Sequence, residues 1–274
     1  MKIDSHQHFW IYHPVKQAWI DNSMQEIAKN FLPEDFNSLL DQTKVDGCVA
    51  VQADQSEDET QFLLDLAKKN PFIKGVVGWV DLKSNNLHER LEYFSKNSLF
   101  KGVRHILQAE KKGFMLQDSF LRGIDQLKNH KLTYDILIYP HQLEEATNLV
   151  ERNLDQPFVL DHLAKPYIKD QKIDEWASQI QRLAEFKNVY CKLSGMVTEA
   201  DWNHWHRSDF EDYMSVVLNA FGAERVMFGS DWPVCLLAGS YLHVIELVEQ
   251  FIKDLSADDR NKIMGINAQN FYKL

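Results

Sequence analysis

Eight short apolar segments alternate with longer segments of helical periodicity along the 274-residue chain, and this alternation constrains the fold more than any other feature. The apolar segments are rich in Val, Ile, Leu and Phe. Because they are continuously apolar rather than alternating, they indicate strands buried on both faces of a parallel sheet that helices cover. We predict strands at residues 1–8, 45–53, 73–80, 101–106, 132–139, 158–162, 189–193 and 225–231.

The intervening segments supply the helices, for example residues 57–69, 142–153, 173–187 and 210–221, where apolar residues recur at three-to-four spacing. Eight strand–helix units predict an α/β fold, a closed (β/α)₈ TIM barrel. The length is close to the roughly 250 residues typical of one such barrel. With no linker-like segment and no internal repeat, we expect a single domain over residues 1–274.

Charge and cysteine usage limit the class of partner. The chain has 40 acidic and 30 basic residues and a net charge of -10, which disfavours binding to nucleic acid or to an anionic membrane and favours a small-molecule partner. Cys48, Cys191 and Cys235 lack metal-site spacing, and we interpret them as reduced structural residues. The N-terminal segment resembles no signal peptide, so we expect a cytoplasmic protein.

Ionisable residues gather where the predicted strands end. His6 and His8 are two residues apart on the first strand, so both imidazoles can point into the barrel mouth and share one metal ion or one substrate. His162 and Asp231 end the sixth and eighth strands. Taken singly, each has a structural alternative, such as a hydrogen-bonded core histidine or a turn-capping aspartate. Barrel closure would bring all four together, and this convergence favours an active site.

Other candidates lie around the same rim. Arg104 and His105 would offer a cation and a second donor to a carbonyl, carboxylate or hydroxyl group, although Arg104 can equally form an ordinary salt bridge. Tyr139 can donate a hydrogen bond or close the core. Trp202 and Trp205, in the long segment after the seventh strand, can stack on a sugar or anchor the loop. These residues, together with Trp232 beside Asp231, are our substrate-binding candidates: His105, Tyr139, Trp202, Trp205 and Trp232.

Several sequence blocks, in order, carry a family resemblance: IDSHQHFW, GVRHIL, LDHLAKP, KLSGM, FGAERVMFGSDWPV and NAQNFY. With these blocks the chain resembles the amidohydrolase-related family that includes the sugar lactonases for L-fuconolactone and L-rhamnonolactone. The blocks span essentially the whole chain. The resemblance implies a distorted (β/α)₈ barrel, hydrolysis of a small sugar-derived lactone, and a site that uses a divalent metal in some members and none in others.

Residue roles follow from the same resemblance. Arg104 matches the substrate-binding arginine, His162 the histidine that polarises the scissile carbonyl, and Asp231 the acid/base of the last strand. His6 and His8 match the first-strand pair and could hold one Zn²⁺ together with Asp231, while catalysis without a metal stays open. By our strand count Tyr139 stands where metal-dependent relatives usually supply a histidine.

Lactone opening needs an activated water, a stabilised oxyanion and a proton for the departing ring oxygen. We expect Asp231 to act as acid/base while His162 and Arg104 polarise the carbonyl, as catalytic residues. Two other functions remain open, a metal-dependent decarboxylase on the same scaffold and a non-catalytic carbohydrate-binding barrel. The expected partner is a sugar lactone, and a homo-oligomer is compatible with the sequence.

Overall fold

A computed structural model describes residues 1–274, and its centre is one sheet of eight parallel strands hydrogen-bonded in chain order from β1 to β8. The predicted (β/α)₈ barrel is therefore confirmed. The strands are β1 (Ile3–Gln7), β2 (Gly47–Val51), β3 (Ile73–Gly78), β4 (Phe100–Ile106), β5 (Thr133–Leu137), β6 (Phe158–Leu160), β7 (Val189–Leu193) and β8 (Val226–Phe228).

Helices follow the strands and form the outer layer. They are α1 (Pro33–Thr43), α2 (Glu57–Lys69), α3 (Leu87–Ser95), α4 (Asp118–Leu127), α5 (Leu143–Glu151), α6 (Asp174–Ala184), α7 (Ser208–Phe221), α8 (Tyr241–Phe251), α9 (Ala257–Asn261) and α10 (Asn267–Tyr272). The bounds of α2 coincide with the prediction. The Ser56 hydroxyl caps its first turn by accepting from the Glu59 amide, and Lys68 and Lys69 lie at its negative C-terminal end.

Several strands that carry site residues are shorter than predicted. The strand predicted at 1–8 ends at Gln7, before His8, and the one predicted at 132–139 ends at Leu137, before Tyr139. The segments predicted at 158–162 and 225–231 end as β6 at Leu160 and as β8 at Phe228. His162 and Asp231 follow these strands with φ values of 53° and 58°, which lie in the left-handed region and end the extended conformation. Both side chains are thus presented from turns at the strand ends.

The barrel closes between β1 and the residues that follow β8, at the mouth. The Asp231 amide donates to the His6 carbonyl (2.8 Å), and the His8 amide donates to the Trp232 carbonyl (2.7 Å). The Ser5 hydroxyl adds a hydrogen bond to the Phe228 carbonyl (2.6 Å). Because these bonds replace a continuous β1–β8 ladder, the segment that closes the barrel is also the segment that carries Asp231.

The opposite end of the barrel is filled by α10. Phe271 and Tyr272 pack into a buried apolar cluster with side chains from the strands, namely Ile3, Val49, Val51, Val77, Val159 and Met227. The backbone carbonyl of Lys273 accepts from Lys101 Nζ at 2.7 Å. The C-terminal helix therefore supports the barrel interior from the end that lies away from the mouth. No helix in the structure has the length and apolarity needed to span a membrane.

Candidate active site

Four buried side chains converge at the barrel mouth. His6 Nε2 lies 3.2 Å from His8 Nε2, and His8 Nε2 lies 3.3 Å from Asp231 Oδ1. His162 Nε2 lies 3.8 Å from the same Asp231 oxygen, with its ring centroid 4.4 Å from that of His6. The structure thus brings together the four residues that the sequence analysis grouped, although they lie far apart along the chain.

The turn after β6 that carries His162 is conformationally costly. His162, Leu163, Ala164 and Lys165 all have φ between 51° and 60°, and none is glycine. A left-handed conformation costs an L-residue roughly 1–2 kcal/mol, and such strain persists where the surrounding structure enforces it, often at functional sites. The Ser194 hydroxyl lies 2.8 Å from His162 Nδ1 and fixes the ring.

Glycine is required at position 195, directly beside this ring. Its φ is 60°, and a Cβ there would lie 2.5 Å from His162 Nδ1 and 3.1 Å from Asp231 Oδ2. Real Cβ atoms do not approach other atoms to 2.5 Å, so a larger residue would displace the imidazole. The Gly in the KLSGM block is therefore explained by the packing of His162 and Asp231.

Burial controls the protonation of the site. It lowers the pKa of the His6 and His162 imidazoles well below the usual value, which keeps them neutral at pH 7. Burial also raises the pKa of the Asp231 carboxyl, but the nearby imidazoles of His162 and His8 outweigh that effect and hold this pKa below its usual value. Neutral imidazoles around an ionised carboxylate suit general base chemistry.

The donor set at His6, His8 and Asp231 fits a divalent metal. His8 Nδ1 lies 2.7 Å from the Val51 carbonyl, to which it can only donate, so the neutral imidazole would offer its Nε2 lone pair to a metal. His6 Nε2 lies 3.3 Å from Arg104 Nη1, and His6 Nδ1 lies 3.1 Å from Lys192 Nζ, so cationic donors face both of its ring nitrogens. The Nε2 atoms of His6 and His8 and one Asp231 carboxylate oxygen lie within 4.8 Å of one another, and imidazole nitrogen with carboxylate oxygen is a donor set that suits zinc.

The spacing of the three donor atoms also matches zinc. With bonds of about 2.0–2.1 Å, tetrahedral ligand atoms lie roughly 3.3 Å apart. The separations here are 3.2, 3.3 and 3.9 Å, the last between His6 Nε2 and Asp231 Oδ1. A metal ion would bind the His6 Nε2 atom that Arg104 contacts. The group formed by His6, Asp161 and His162 fits a metal less well, because Asp161 already faces Lys192 Nζ at 2.9 Å and Arg104 Nη1 at 3.1 Å.

Arg104 is held inside the mouth by several partners. Its Nη1 donates to Asp161 Oδ2 at 3.1 Å, and its Nη2 donates to the backbone carbonyl and the side-chain oxygen of Gln52. Only 3% of the residue is exposed. The positive charge is therefore fixed next to His6 rather than free at the rim.

The predicted substrate-binding residues occupy different settings. His105 is half-buried, with Nε2 2.8 Å from Glu110 and its ring stacked on Phe114. Tyr139 is exposed and stacks on His141. Contact between these residues and a substrate stays a prediction.

The three tryptophans all have structural contacts. The Trp202 indole donates to the Thr198 carbonyl at 2.9 Å, and the Trp205 indole donates to the Ala238 carbonyl at 2.6 Å. Trp232 is buried against the rings of Phe31 and Phe36. These contacts anchor the loops around the mouth, and substrate binding by the indoles stays a prediction.

Several buried polar residues behind the mouth were not among the predicted site residues, namely Gln52, Asp135, Asp161, Lys192 and Ser194. Lys192 and Asp135 interrupt the apolar runs of β7 and β5. A charged residue inside an otherwise continuous apolar strand was the available signal, because burial of a charge requires a partner or a function.

Comparison with known proteins places the chain in a family. The family model described as Amidohydrolase matches residues 3–274. The chain belongs to the amidohydrolase family. The resemblance seen in the sequence blocks is thereby confirmed.

Two relatives match this amidohydrolase over its full length, and both are named L-fucono-1,5-lactonase. The one from Burkholderia multivorans (strain ATCC 17616 / 249) is 39% identical and covers 100% of this chain and 96% of its own. The one from Burkholderia ambifaria is 35% identical with the same coverage. A crystal structure of an amidohydrolase from Burkholderia multivorans with bound zinc has a TM-score of 0.97 at 38% identity, covering 100% of this chain and 99% of that one.

Proposed function

We propose that this amidohydrolase hydrolyses a small sugar-derived lactone of the L-fuconolactone type, with a sugar lactone as its small-molecule partner. The observation that carries the proposal is a buried carboxylate, Asp231, whose Oδ1 lies 3.3, 3.8 and 3.9 Å from the Nε2 atoms of His8, His162 and His6 at the barrel mouth. The two full-length relatives named L-fucono-1,5-lactonase support the same reaction and the same substrate class.

The reaction follows from the donors and acceptors at the mouth. Asp231 accepts a proton from water as the water oxygen bonds to the lactone carbonyl carbon. His162 Nδ1 lies 2.8 Å from the Ser194 hydroxyl; when Nδ1 accepts from that hydroxyl, the ring proton is on Nε2, which donates to the developing oxyanion. The bond from the carbonyl carbon to the ring oxygen then breaks, Asp231 returns the proton to the departing alkoxide, and an open-chain hydroxy acid is released.

Arg104 contributes a fixed positive charge beside His6 that stabilises the oxyanion. His6, His8 and Asp231 would hold one divalent metal ion, and zinc is the ion bound in the Burkholderia multivorans structure. When bound, such an ion polarises the carbonyl or lowers the pKa of water. The metal assignment is tested by the zinc content of dialysed wild type against that of His8→Gln, which removes one ligand.

To test the reaction, proton release is measured in weak buffer, with and without chelator. The substrates are freshly prepared aldonolactones with five- and six-membered rings. We expect turnover of L-fuconolactone, and a loss of about 10³-fold in kcat for Asp231→Asn, because general acid/base catalysis contributes roughly 10²–10⁴-fold. Asp258→Asn, on α9 and ion-paired to Lys262, is the matched control and should keep wild-type activity.

Carbon dioxide release from an aromatic acid without lactone opening would instead identify a decarboxylase. Binding of lactones with no turnover above that of Asp231→Asn would identify a binding protein.

A further inference from the structure

One half-buried ion pair joins the loops that follow β6 and β7. Lys165 Nζ lies 2.6 Å from Glu199 Oε1, and the two side chains are only 16% and 21% exposed. Taking two charged groups out of water costs free energy, and their mutual attraction often does no more than offset that cost. Two loops can be fastened together without charges, so the pair calls for a reason beyond stability.

A second ion pair joins the same two loops in a more exposed position. Lys169 Nζ lies 3.4 Å from Asp201 Oδ2, with side chains that are 64% and 42% exposed. The Lys169 amide also donates to the Glu199 carbonyl at 3.0 Å. The loops are therefore connected without the Lys165 side chain, and the need to connect them does not explain the half-buried pair.

The Lys165 ammonium lies near the reacting groups. Lys165 is the last of four left-handed residues after β6, and its amide donates to the His162 carbonyl at 2.6 Å. Burial lowers the pKa of Lys165, but the carboxylates of Glu199 and Asp231 outweigh burial and hold this pKa above its usual value. Such an effect between charges requires them to be close together. The pair therefore lies beside the space in which Asp231 would meet a lactone.

The same pair has hydrogen-bonding capacity that the protein does not use. An ammonium has three N–H donors, and for Lys165 the protein accepts only one of them, at Glu199 Oε1. Glu199 Oε1 also accepts from the Thr198 hydroxyl at 3.5 Å, whereas Oε2 accepts from no protein group and is open to solvent. Two donors and one strong acceptor therefore remain side by side for a ligand.

This combination matches the hydroxyl groups of a sugar. Each hydroxyl both donates and accepts, so two neighbouring hydroxyls on a ring can pair with an ammonium and a carboxylate at the same time. A ligand carboxylate would be repelled by Glu199, and a ligand amine would be repelled by Lys165. The pair therefore favours a neutral polyol over a charged group.

We propose that Lys165 and Glu199 form a hydroxyl-binding subsite that makes the enzyme selective for polyhydroxylated lactones over unsubstituted ones. Its kinetic consequence rests on the proposed lactonase function, whereas the binding of hydroxyl groups does not. A site built to hydrogen-bond a substrate hydroxyl discriminates strongly against an analogue without it, because the site's own polar groups are then left unpaired. L-fucono-1,5-lactone carries such hydroxyls, and δ-valerolactone has the same six-membered ring without them.

The kinetic test compares Lys165→Met with Lys169→Met on these two lactones. Methionine is nearly as long as lysine but has no donor. We expect Lys165→Met to lower kcat/KM for L-fucono-1,5-lactone by about 10- to 100-fold, the effect of losing a hydrogen bond from a charged group, with little change for δ-valerolactone. Lys169→Met removes the exposed pair between the same loops and should leave both values unchanged.

Two kinetic results would overturn the subsite. One is an equal loss on both lactones in Lys165→Met, since a residue that only fastens the loops affects every substrate alike. The other is an equal loss on L-fucono-1,5-lactone in Lys165→Met and Lys169→Met, which would assign the effect to the connection between the loops.

Calorimetry tests the subsite without turnover. The ligand is L-fuconate, the open-chain acid that keeps the hydroxyl groups, and hexanoate is the matched acid without them. We expect Lys165→Met to raise the Kd of L-fuconate by about 10-fold, the loss of one hydrogen bond, and to leave hexanoate binding unchanged. Glu199→Gln, on the other loop, replaces a carboxylate oxygen with a donor and should also weaken L-fuconate binding, so the test does not depend on the folding of one variant. The same Kd for L-fuconate in the wild type and in the variants would overturn the proposal.

A failure of the proposed function would look different. If the wild type opened no lactone, the calorimetric comparison would still decide whether Lys165 and Glu199 bind hydroxyl groups. If the wild type opened lactones but Lys165→Met lost kcat/KM equally on both of them, the function would stand and the subsite would fall.

Discussion

Arg104 shows how much of the site depends on the donors of a single side chain. Its guanidinium reaches Asp161, His6 and Gln52 at once. These three partners lie on or directly after β1, β2 and β6, whereas Arg104 itself lies on β4. A planar fork with fixed N–H directions can serve all of them, whereas a single ammonium cannot.

Arg104→Lys is therefore expected to be far from conservative. The ammonium keeps the charge but leaves at least one buried partner unpaired, which costs roughly 1.5–3 kcal/mol per charged hydrogen bond. We expect kcat/KM on the best lactone to fall by about 10- to 100-fold while the circular dichroism spectrum is unchanged. Wild-type kinetics in Arg104→Lys would show that the fork geometry does not matter.

Glu59 gives a second prediction at this scale. It lies on α2, is buried, and accepts from the Ala53 and Asp54 amides, next to the Gln52 that holds Arg104. Burial raises the pKa of its carboxyl from 4.5 to about 7. The pKa of Glu59 is higher in the folded protein than in the unfolded protein. The stability linked to this shift is therefore complete below about pH 4.5 and is lost as the pH rises through about 7.

Glu59→Gln removes that titration while keeping an acceptor for the two amides. Relative to the variant, the wild type should lose about 1–3 kcal/mol of unfolding free energy between pH 5 and pH 8, since one pKa unit corresponds to about 1.4 kcal/mol. Urea unfolding of both proteins at the two pH values measures this difference. A difference in unfolding free energy between the two proteins that is the same at both pH values would contradict the predicted titration of Glu59.

At the scale of elements, His162 and Asp231 lie on turns that directly follow strands, and the end of each strand determines where its turn begins. Strand β6 ends two residues before His162, and strand β8 ends three residues before Asp231. The left-handed turn then swings His162 towards Ser194 and Asp231. The loop after β7 completes the arrangement, because Gly195 lets that loop pass beside the imidazole.

Gly195→Ala tests the close approach. A Cβ would lie 2.5 Å from His162 Nδ1, so the ring must move, and a shift of about 1 Å can cost roughly 100-fold in rate. Gly113→Ala is the matched control, since Gly113 also has positive φ, 88°, but no atom within 4 Å of the added Cβ.

Both glycine variants should lose stability, by about 1–2 kcal/mol for the left-handed alanine. Only Gly195→Ala should lose kcat, by about 100-fold. Equal kinetic losses in the two variants would assign the effect to backbone strain alone.

At the scale of the whole molecule, the mouth and the C-terminal helix are two ends of one interior. The apolar cluster around Phe271 and Tyr272 closes the far end, and the polar cluster that reaches the site begins at the Tyr272 hydroxyl. The last turn of the chain is therefore connected to the site by contacts through the barrel interior, although it lies on the opposite side.

Phe271→Ala should lower the free energy of unfolding by about 3–5 kcal/mol, the usual cost of removing a buried phenyl ring. Leu154→Ala, at a position that is 60% exposed, should change it by less than about 0.5 kcal/mol. Chemical denaturation of the two variants and the wild type makes the comparison. A loss below 1 kcal/mol in Phe271→Ala would mean that the helix does not support the barrel.

Much of the architecture was predictable because local patterns determine it. Continuous apolar runs such as β2 can only be buried on both faces, and the capped, charged α2 was located to the residue. The convergence of His6, His8, His162 and Asp231 also followed from the sequence, since the carboxyl ends of parallel barrel strands meet at one mouth.

Only the tertiary structure decided the partners of Asp161, Lys192 and Arg104. Their contacts join β1, β4, β5, β6 and β7, and no local pattern reports which charges will face each other across a barrel interior. The four consecutive left-handed residues after β6 are likewise enforced by packing against intrinsic preference. The sequence by itself determined which residues reach the mouth, and tertiary packing determined their distances and their contact partners.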